Sequence, residues 1–144
     1  MALPRLIQFL RIGNPGEGYL SIVSEEKYFP FKIKRIFWTY GTPSTIIRGR
    51  HAHKTTKMIL VALSGKIVVK CQIYPKTEVE FILDDPNTGL YIPVNCWHTM
   101  MYHDNAIQLV ITNTLYDEND YIRDYTTYLD IVTQKDFNKK LKNE

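Results

Sequence analysis

The sequence has few cysteines, no long apolar run and little excess of charge of either sign. Its two cysteines, Cys71 and Cys96, lack a close C-x-x-C spacing, which argues against a disulfide framework or a zinc ribbon and predicts buried thiols in a reducing compartment. No segment approaches the ~20 apolar residues that a membrane-spanning helix needs. The first apolar run is broken by Pro4 and Arg5, so we expect no signal peptide, no membrane partner and a cytoplasmic location.

The charge balance disfavours a nucleic acid partner. Eighteen Lys and Arg against 15 Asp and Glu give a net charge of +3, and three of the lysines, Lys139, Lys140 and Lys142, lie in a polar C-terminal stretch. Without that stretch the chain is nearly neutral, whereas nucleic acid binding needs basic residues gathered on one face. The length fits one domain, which we place at residues 1–134, followed by a polar, basic tail at 135–144.

Most of the chain has the pattern of short β-strands. From Leu6 to about Ile111, extended runs alternate with turn residues every ~8–12 positions, as in a β-sandwich or β-barrel. Ser64 and Gly65, between two strong runs, predict a tight hairpin. The all-β class follows from the predicted strands, which are Ile33–Trp38, Met58–Leu63, Lys66–Ile73, Val79–Leu83, Gly89–Ile92 and Ala106–Thr112.

One helix is predicted at the C-terminal end. Tyr121, Tyr125, Leu129 and Val132 recur at helical spacing and define one apolar face. Asp117 or Asn119 would cap its start. We therefore expect a single terminal helix packed on an all-β body.

Three histidines form the main candidate site. His51 and His53 are two residues apart, so on an extended strand both imidazoles point to the same face. His98 follows a turn and begins another strand, which a closing barrel could place opposite the pair. Such a cluster favours either a metal site or proton transfer near neutral pH. The simpler alternative is a half-buried strand pair with satisfied hydrogen bonds and no chemistry.

Basic residues flank the histidines. Arg48, Arg50 and Lys54 lie on either side of them, and Arg35 lies on the preceding predicted strand. Guanidinium groups bind diphosphate oxygens in bidentate fashion, so the cluster suits a phosphorylated substrate. Simple alternation puts Arg48 and Arg50 on one face, although a β-bulge would change this.

Five ordered segments together resemble the dTDP-sugar 3,4-ketoisomerases, which are small cupins. The combination of R-G-x-H-x-H-K with G-L-Y-I and W-H-x-M is specific, whereas H-x-H alone would be weak. The matching stretches are PFKIKRIF at 30–37, RGRHAHK at 48–54, DDPNTGLYIP at 84–93, CWHTM at 96–100 and YDENDYIRDY at 116–125.

The resemblance implies a cupin jelly-roll β-barrel with one C-terminal helix, a homodimer, no metal and no cofactor. It implies isomerisation of a dTDP-linked 4-keto-6-deoxyhexose to the 3-keto sugar through an enediol, for deoxyamino sugar biosynthesis. His51 then resembles the catalytic base and His53 its partner. Arg35 and Arg48 resemble the diphosphate-binding pair, and the full set of expected substrate contacts is Arg35, Arg48, Lys54, Trp97, His98 and Tyr102.

His98 implies the galacto-configured product, because family members with His rather than Arg there make that product. Glu17, at a second discriminating position, matches neither family pattern. The chain also departs from the family at Phe37, where a Tyr is usual, at Met58 and at Thr99. Without the phenol at Phe37, the expected donors are Tyr40, Tyr91, Tyr102 or water.

Other functions remain open at this point. A metal-binding cupin has a Glu where this chain has Met58, and a thioether cannot replace a carboxylate, but three histidines alone can still hold zinc. A related epimerase would keep the fold and the nucleotide. The departures at Phe37, Met58 and Thr99 would also fit a sugar-nucleotide-binding protein that has lost its activity.

Overall fold

The computed structural model describes residues 2–24, 29–73 and 77–141. It confirms the predicted all-β fold with one C-terminal helix. The strands are β1 (Arg5–Gln8), β2 (Leu10–Asn14), β3 (Gly18–Ile22), β4 (Arg35–Thr39), β5 (Ile47–His53), β6 (Met58–Ile73), β7 (Thr77–Leu83), β8 (Thr88–Ile92), β9 (Trp97–Thr112) and β10 (Tyr121–Ile122). A short 3-10 helix, Glu118–Asp120, precedes β10, and the α-helix α1 spans Tyr125–Leu141.

Two long strands organise the sheet. β6 and β9 have 16 residues each and pair antiparallel along most of their length. The first part of β6 also pairs with β8 and its second part with β7, while β9 pairs first with β5 and then with β4. The sheet order is β1-β8-β6-β9-β5-β10, and β2 and β3 form a separate hairpin. The sheet curls around one main core, which contains Leu60, Ile67, Val69, Leu83, Leu90, Ile92 and Val110 among others.

The predicted hairpin at Ser64 and Gly65 is wrong, because β6 continues through both residues. The pairing with β9 changes register there, and Gly65 has a φ of 69°. A Cβ on Gly65 would lie 2.6 Å from the Cα of Ala106 in β9, so glycine is needed for the two strands to approach. The turn residues therefore mark a β-bulge, and the β6 residues that face the main core change from even positions before it to odd positions after it.

The predicted helix begins later than expected. Asp117 caps the 3-10 helix by accepting a hydrogen bond from the Asn119 N–H, and Tyr121 lies in β10, paired with His53 of β5. The cap of α1 is Asp124, whose side chain accepts a 2.7 Å hydrogen bond from the Thr127 N–H. Tyr121 fits the helical spacing of apolar residues because β10 is short and α1 begins soon after it, without a change in the apolar pattern between them.

The helix docks through residues on one face. Tyr128 and Val132 are fully buried against Ala52 and Ile122, and Leu129 packs beside them. Full burial of such side chains stabilises the docked helix by about 2 kcal/mol each. Leu129 and Val132 were predicted on this face, whereas Tyr125 is exposed. The helix extends to Leu141, past the boundary placed at residue 134, and Lys142 lies outside the described residues.

A second β-bulge shapes β5. Its pairing with β9 aligns Gly49 with Thr99 and His51 with His98, which leaves Arg50 as an extra residue. Gly49 and Arg50 have φ values of 82° and 57°, in the left-handed region. A bulge of this kind changes the direction in which the following side chains point. It brings Arg48 and His51, which simple alternation would separate, onto the same cavity.

We predict that Gly49→Ala destabilises the protein by about 2 kcal/mol, because alanine is strained at this φ. In addition, its Cβ would lie 2.7 Å from the His98 carbonyl oxygen. Urea unfolding followed by circular dichroism measures the change. Gly16→Ala is the matched control: it lies in an exposed turn where a Cβ meets only the Asn14 side chain at 3.3 Å, and we expect a change within about 0.5 kcal/mol. Equal effects of the two substitutions would contradict the role given to the bulge.

Candidate active site

A cavity of about 260 Å³ opens between β4, β5, β6 and β9. Six of the eight predicted site residues line it: Arg35, Arg48, His51, His53, His98 and Tyr102. The remaining wall is largely apolar and includes Phe37, Met58, Leu60, Met100 and Val110. The structure therefore brings the predicted bases and the predicted diphosphate-binding arginines to one pocket.

Two predicted substrate contacts, Lys54 and Trp97, are not among the lining residues. The Lys54 ammonium is exposed and donates a 2.6 Å hydrogen bond to the Asn119 carbonyl. Trp97 packs against the helix, with its ring centroid 5.1 Å from that of Tyr125 and 5.4 Å from that of Tyr128. In this chain both side chains contact the C-terminal segment instead of the cavity.

The three imidazoles form one cluster. The His51 ring centroid lies 4.9 Å from that of His53 and 4.7 Å from that of His98, both edge to face. His53 and His98 are buried, with 4% and 1% exposure, and His51 is half-buried. His51 is therefore the imidazole of the three most open to a ligand.

Backbone hydrogen bonds set the tautomers of two of these rings. The Nδ1 atom of His51 lies 3.0 Å from the Gly49 carbonyl oxygen, and that of His98 lies 3.1 Å from the Cys96 carbonyl oxygen. Because a carbonyl can only accept, each Nδ1 carries the hydrogen and donates it. The other ring nitrogen, Nε2, is then the atom of each neutral ring that can take up a proton.

His53 has a carboxylate as its partner. Its Nδ1 lies 2.8 Å from the Oδ2 atom of Asp120, which is itself only 7% exposed. Asp120 also accepts hydrogen bonds from the Thr55 N–H at 2.7 Å, from the Thr55 hydroxyl at 2.6 Å and from the Thr56 hydroxyl at 2.5 Å. Burial alone would raise the pKa of Asp120, but these donors hold it well below its usual range.

Burial keeps the histidines neutral. It lowers the pKa of His51 to about 4, with a further contribution from His53, and lowers the pKa of His98 to about 3, with a contribution from His51. The pKa of His53 is also lowered by burial, against the raising effect of Asp120. All three rings are therefore neutral at neutral pH, and each keeps one unprotonated ring nitrogen.

The cavity also contains two residues that sequence reasoning missed. Tyr121 lies beside the histidines, and the Arg123 guanidinium lies 4.3 Å from the centre of the Tyr121 ring. Both were missed because Tyr121 was placed in the helix. The signal that could have found them is the YDENDYIRDY stretch, which is one of the five segments that resemble the family.

Two of the expected proton donors, and the family-specific positions Glu17 and Thr99, lie outside the cavity. Tyr40 is 71% exposed, and Tyr91 is buried beneath the Arg5 guanidinium outside the cavity. Glu17 is in the exposed turn of the β2–β3 hairpin, with a hydrogen bond from Asn14. Thr99 is not a lining residue either. Of the three tyrosines expected as proton donors, only Tyr102 lines the cavity.

The described part of the chain contains neither a metal-binding cluster nor a membrane-spanning helix. No group of three or more His, Cys, Asp or Glu side chains is arranged to hold a metal ion. Within the same ranges, no helix has the length and apolar character that crossing a bilayer requires.

The curled sheet and the histidine-lined cavity define a cupin-like protein. The model of the family described as "FdtA: WxcM-like, C-terminal" matches residues 3–133. A curated relative, the TDP-4-oxo-6-deoxy-α-D-glucose-3,4-oxoisomerase of Aneurinibacillus thermoaerophilus, is 32% identical over 139 residues, which cover 94% of this chain and 97% of the relative. The chain belongs to the FdtA family.

Solved structures agree with this assignment. QdtA, a sugar 3,4-ketoisomerase of Thermoanaerobacterium thermosaccharolyticum in complex with TDP, matches with a TM-score of 0.86 and 33% identity, over 92% of this chain and 96% of QdtA. WlaRA, a TDP-fucose-3,4-ketoisomerase of Campylobacter jejuni, matches with a TM-score of 0.81 and 33% identity, over 89% and 94%. The resemblance to the sugar-nucleotide 3,4-ketoisomerases seen in the sequence is therefore confirmed.

We predict that Asp120→Asn lowers the pKa of His53 further, because the carboxylate is the group that opposes the effect of burial. NMR titration of the His53 ring nitrogens measures the shift. Asp117→Asn, which removes an exposed cap carboxylate, is the control and should leave His53 unchanged. An unchanged His53 titration in Asp120→Asn would contradict the pairing.

Proposed function

We propose that this chain isomerises a TDP-linked 4-keto-6-deoxyhexose to the 3-keto sugar. The observation that carries the proposal is the neutral His51 imidazole, with Nε2 able to accept a proton, on a cavity that also holds Arg35 and Arg48. The family relationship supports the same reaction. A proton acceptor beside two guanidinium groups suits a sugar whose diphosphate is held while its ring reacts.

In the proposed reaction His51 removes the C3 proton while the C4 carbonyl oxygen gains one, which gives an enediol. A proton then returns to C4 as the O3 hydroxyl loses its proton, and the C3 ketone forms. His53 receives the proton that His51 removed and returns it to C4, because its ring lies 4.9 Å from that of His51 and the Asp120 carboxylate at 2.8 Å stabilises its protonated form. General acid–base assistance of this kind contributes about 10²–10⁴-fold in rate.

Arg35 and Arg48 are the proposed diphosphate-binding pair. The Nε atom of Arg35 is buried and has no hydrogen-bond partner among the described residues, which is unusual for a charged donor. Its guanidinium lies 5.1 Å from the centre of the Phe37 ring, which leaves its in-plane donors available. A phosphate oxygen would satisfy the buried donor, and Arg48 on the same cavity would add a second positive charge.

We further propose the galacto-configured product. The basis is His98, which lines the cavity 4.7 Å from His51 and so lies close to the reacting carbons of a sugar bound there. The family correlation of His at this position with galacto products supports the assignment. NMR analysis of the product configuration at C4 is the direct test, and a gluco product would overturn it.

The activity is tested by incubating the protein with TDP-4-keto-6-deoxyglucose in deuterated water and following the C3 and C4 protons by NMR. The proposal requires exchange at both carbons together with formation of the 3-keto sugar. Labelling at C3 and C5 would identify an epimerase. Tight dTDP binding without turnover would identify a binding protein, and stoichiometric iron, zinc or nickel on the three histidines would favour a metal-dependent enzyme.

We predict that His51→Asn lowers kcat by a factor on the order of 10² or more, because the amide cannot take the C3 proton. The affinity for dTDP, measured by calorimetry, should be largely retained because the arginines are untouched. His103→Asn is the control, since His103 does not line the cavity, and it should keep full activity. Normal turnover by His51→Asn would remove His51 as the base.

A homodimer is the proposed assembly. Leu10, Ile12 and Leu20 lie on one face of the β2–β3 hairpin and are 54–62% exposed. An apolar groove of about 350 Å³ opens at the base of the same hairpin. Contiguous exposed apolar surface of this kind marks interaction sites. A second copy of the chain that covered the hairpin would remove this apolar surface from water.

We predict that the double substitution Ile12→Lys and Leu20→Lys converts the dimer to a monomer, because two ammonium groups would be buried in the contact. Size-exclusion chromatography with light scattering measures the mass. Leu115→Lys, at a 70% exposed position outside the hairpin, is the control and should remain dimeric. A wild-type protein of about 17 kDa in solution would refute the dimer.

A cytoplasmic location is proposed together with this function. Cys71 and Cys96 are free and buried, which fits the reducing compartment predicted from the sequence. The proposed substrate is a nucleotide sugar, a class of metabolite made in the cytoplasm. Fractionation of cells followed by immunoblotting tests the location.

A further inference from the structure

The cavity has a phenylalanine at the position where members of the family usually have a tyrosine. Phe37 lines it, and a phenylalanine ring has no proton to give. Tyr102 also lines the cavity, but its hydroxyl donates a 2.9 Å hydrogen bond to the Gln108 side-chain oxygen. Burial also raises the pKa of Tyr102 to about 12, so it is a poor proton donor. The reaction still needs a group that gives a proton to the C4 oxygen.

Tyr121 is positioned to supply that proton. Its ring centroid lies 5.0 Å from that of His51 and 4.4 Å from that of His53, and the residue lines the same cavity. Backbone pairing of Tyr121 with His53 in the β10–β5 ladder fixes it there. Its hydroxyl makes no hydrogen bond to any of the described residues, so it is available to a ligand.

The position of Arg123 also supports Tyr121 as the proton donor. Its guanidinium lies 4.3 Å from the centre of the Tyr121 ring, on the same segment and at the edge of the same cavity. A guanidinium over the face of a phenol ring is attracted to the ring and holds it in place at the cavity. Arg123 is itself oriented by Glu118, which accepts hydrogen bonds from its Nε and Nη2 atoms at 2.9 and 3.2 Å.

We propose that Tyr121 is the catalytic acid of this enzyme and replaces the phenol missing at Phe37, an inference that depends on the proposed ketoisomerase function. As His51 takes the C3 proton, the Tyr121 O–H gives its proton to the C4 oxygen, which forms the enediol and leaves a phenolate. The histidine pair then returns the C3 proton to C4, the O3–H proton passes to the phenolate, and the C3 ketone forms with His51 neutral again. Tyr121 is thereby restored, and no oxidant or reductant is needed.

The test is Tyr121→Phe, which removes one oxygen and keeps the ring between the histidines and Arg123. We expect kcat to fall on the order of 10²-fold, with KM and dTDP affinity changed less than threefold. Tyr40→Phe, at an exposed position outside the cavity, should keep wild-type activity. Normal kcat in Tyr121→Phe, or a comparable loss in Tyr102→Phe alone, would overturn the proposal.

A rescue experiment separates catalysis from structure. Adding Phe37→Tyr to Tyr121→Phe places a phenol back on the cavity wall, and we expect at least a tenfold recovery of kcat. If the double variant recovers nothing and Tyr121→Phe also loses dTDP affinity or melting temperature, then Tyr121 only supports the histidines and the proposal fails. Absence of turnover in the wild-type protein would instead refute the ketoisomerase function itself.

Discussion

The buried carboxylate of Asp120 is the interaction on which both the fold and the site depend. Taking a carboxylate out of water costs several kcal/mol unless its oxygens are satisfied. Here donors from Thr55, Thr56 and His53 satisfy them. These donors come from the end of β5 and the loop after it, so the charge ties this region to the segment before the helix. The Lys54 N–H donates to the Asp120 carbonyl at 2.9 Å and strengthens the same junction.

This junction explains why structure and chemistry are hard to separate in this protein. The carboxylate that orients the His53 ring also holds the segment that brings Tyr121 and Arg123 to the cavity. The Asp120 carboxylate stays charged although it is buried, and its charge acts on the His53 ring at the cavity. The two cavity walls, one from β5 and one from the C-terminal segment, are therefore aligned by the same set of hydrogen bonds.

The sequence predicted the fold class, the histidine cluster and the arginine pair, because these depend on strand periodicity and on motifs that carry the family resemblance. The sequence-based predictions failed where one local residue pattern is compatible with two different structures. Gly65 marks a bulge within β6 where a hairpin was expected, since both need a positive φ. Tyr121 continues a helical period by chance, and only its pairing with His53 shows that it is a strand residue. The placement of Lys54 depends on a hydrogen bond to Asn119 and that of Trp97 on packing against the terminal helix, and no local pattern encodes either contact.

The long antiparallel pairing of β6 and β9 has a consequence for how a ligand reaches the cavity. Met58 and Leu60 from one strand and His98, Met100 and Tyr102 from the other form the floor, and backbone hydrogen bonds tie both strands to neighbours on each side. Separating them would require breaking the main core, which amounts to global unfolding. The floor is therefore a rigid, preorganised surface, and a ligand must enter and leave through the open side of the cavity while the floor residues stay in place.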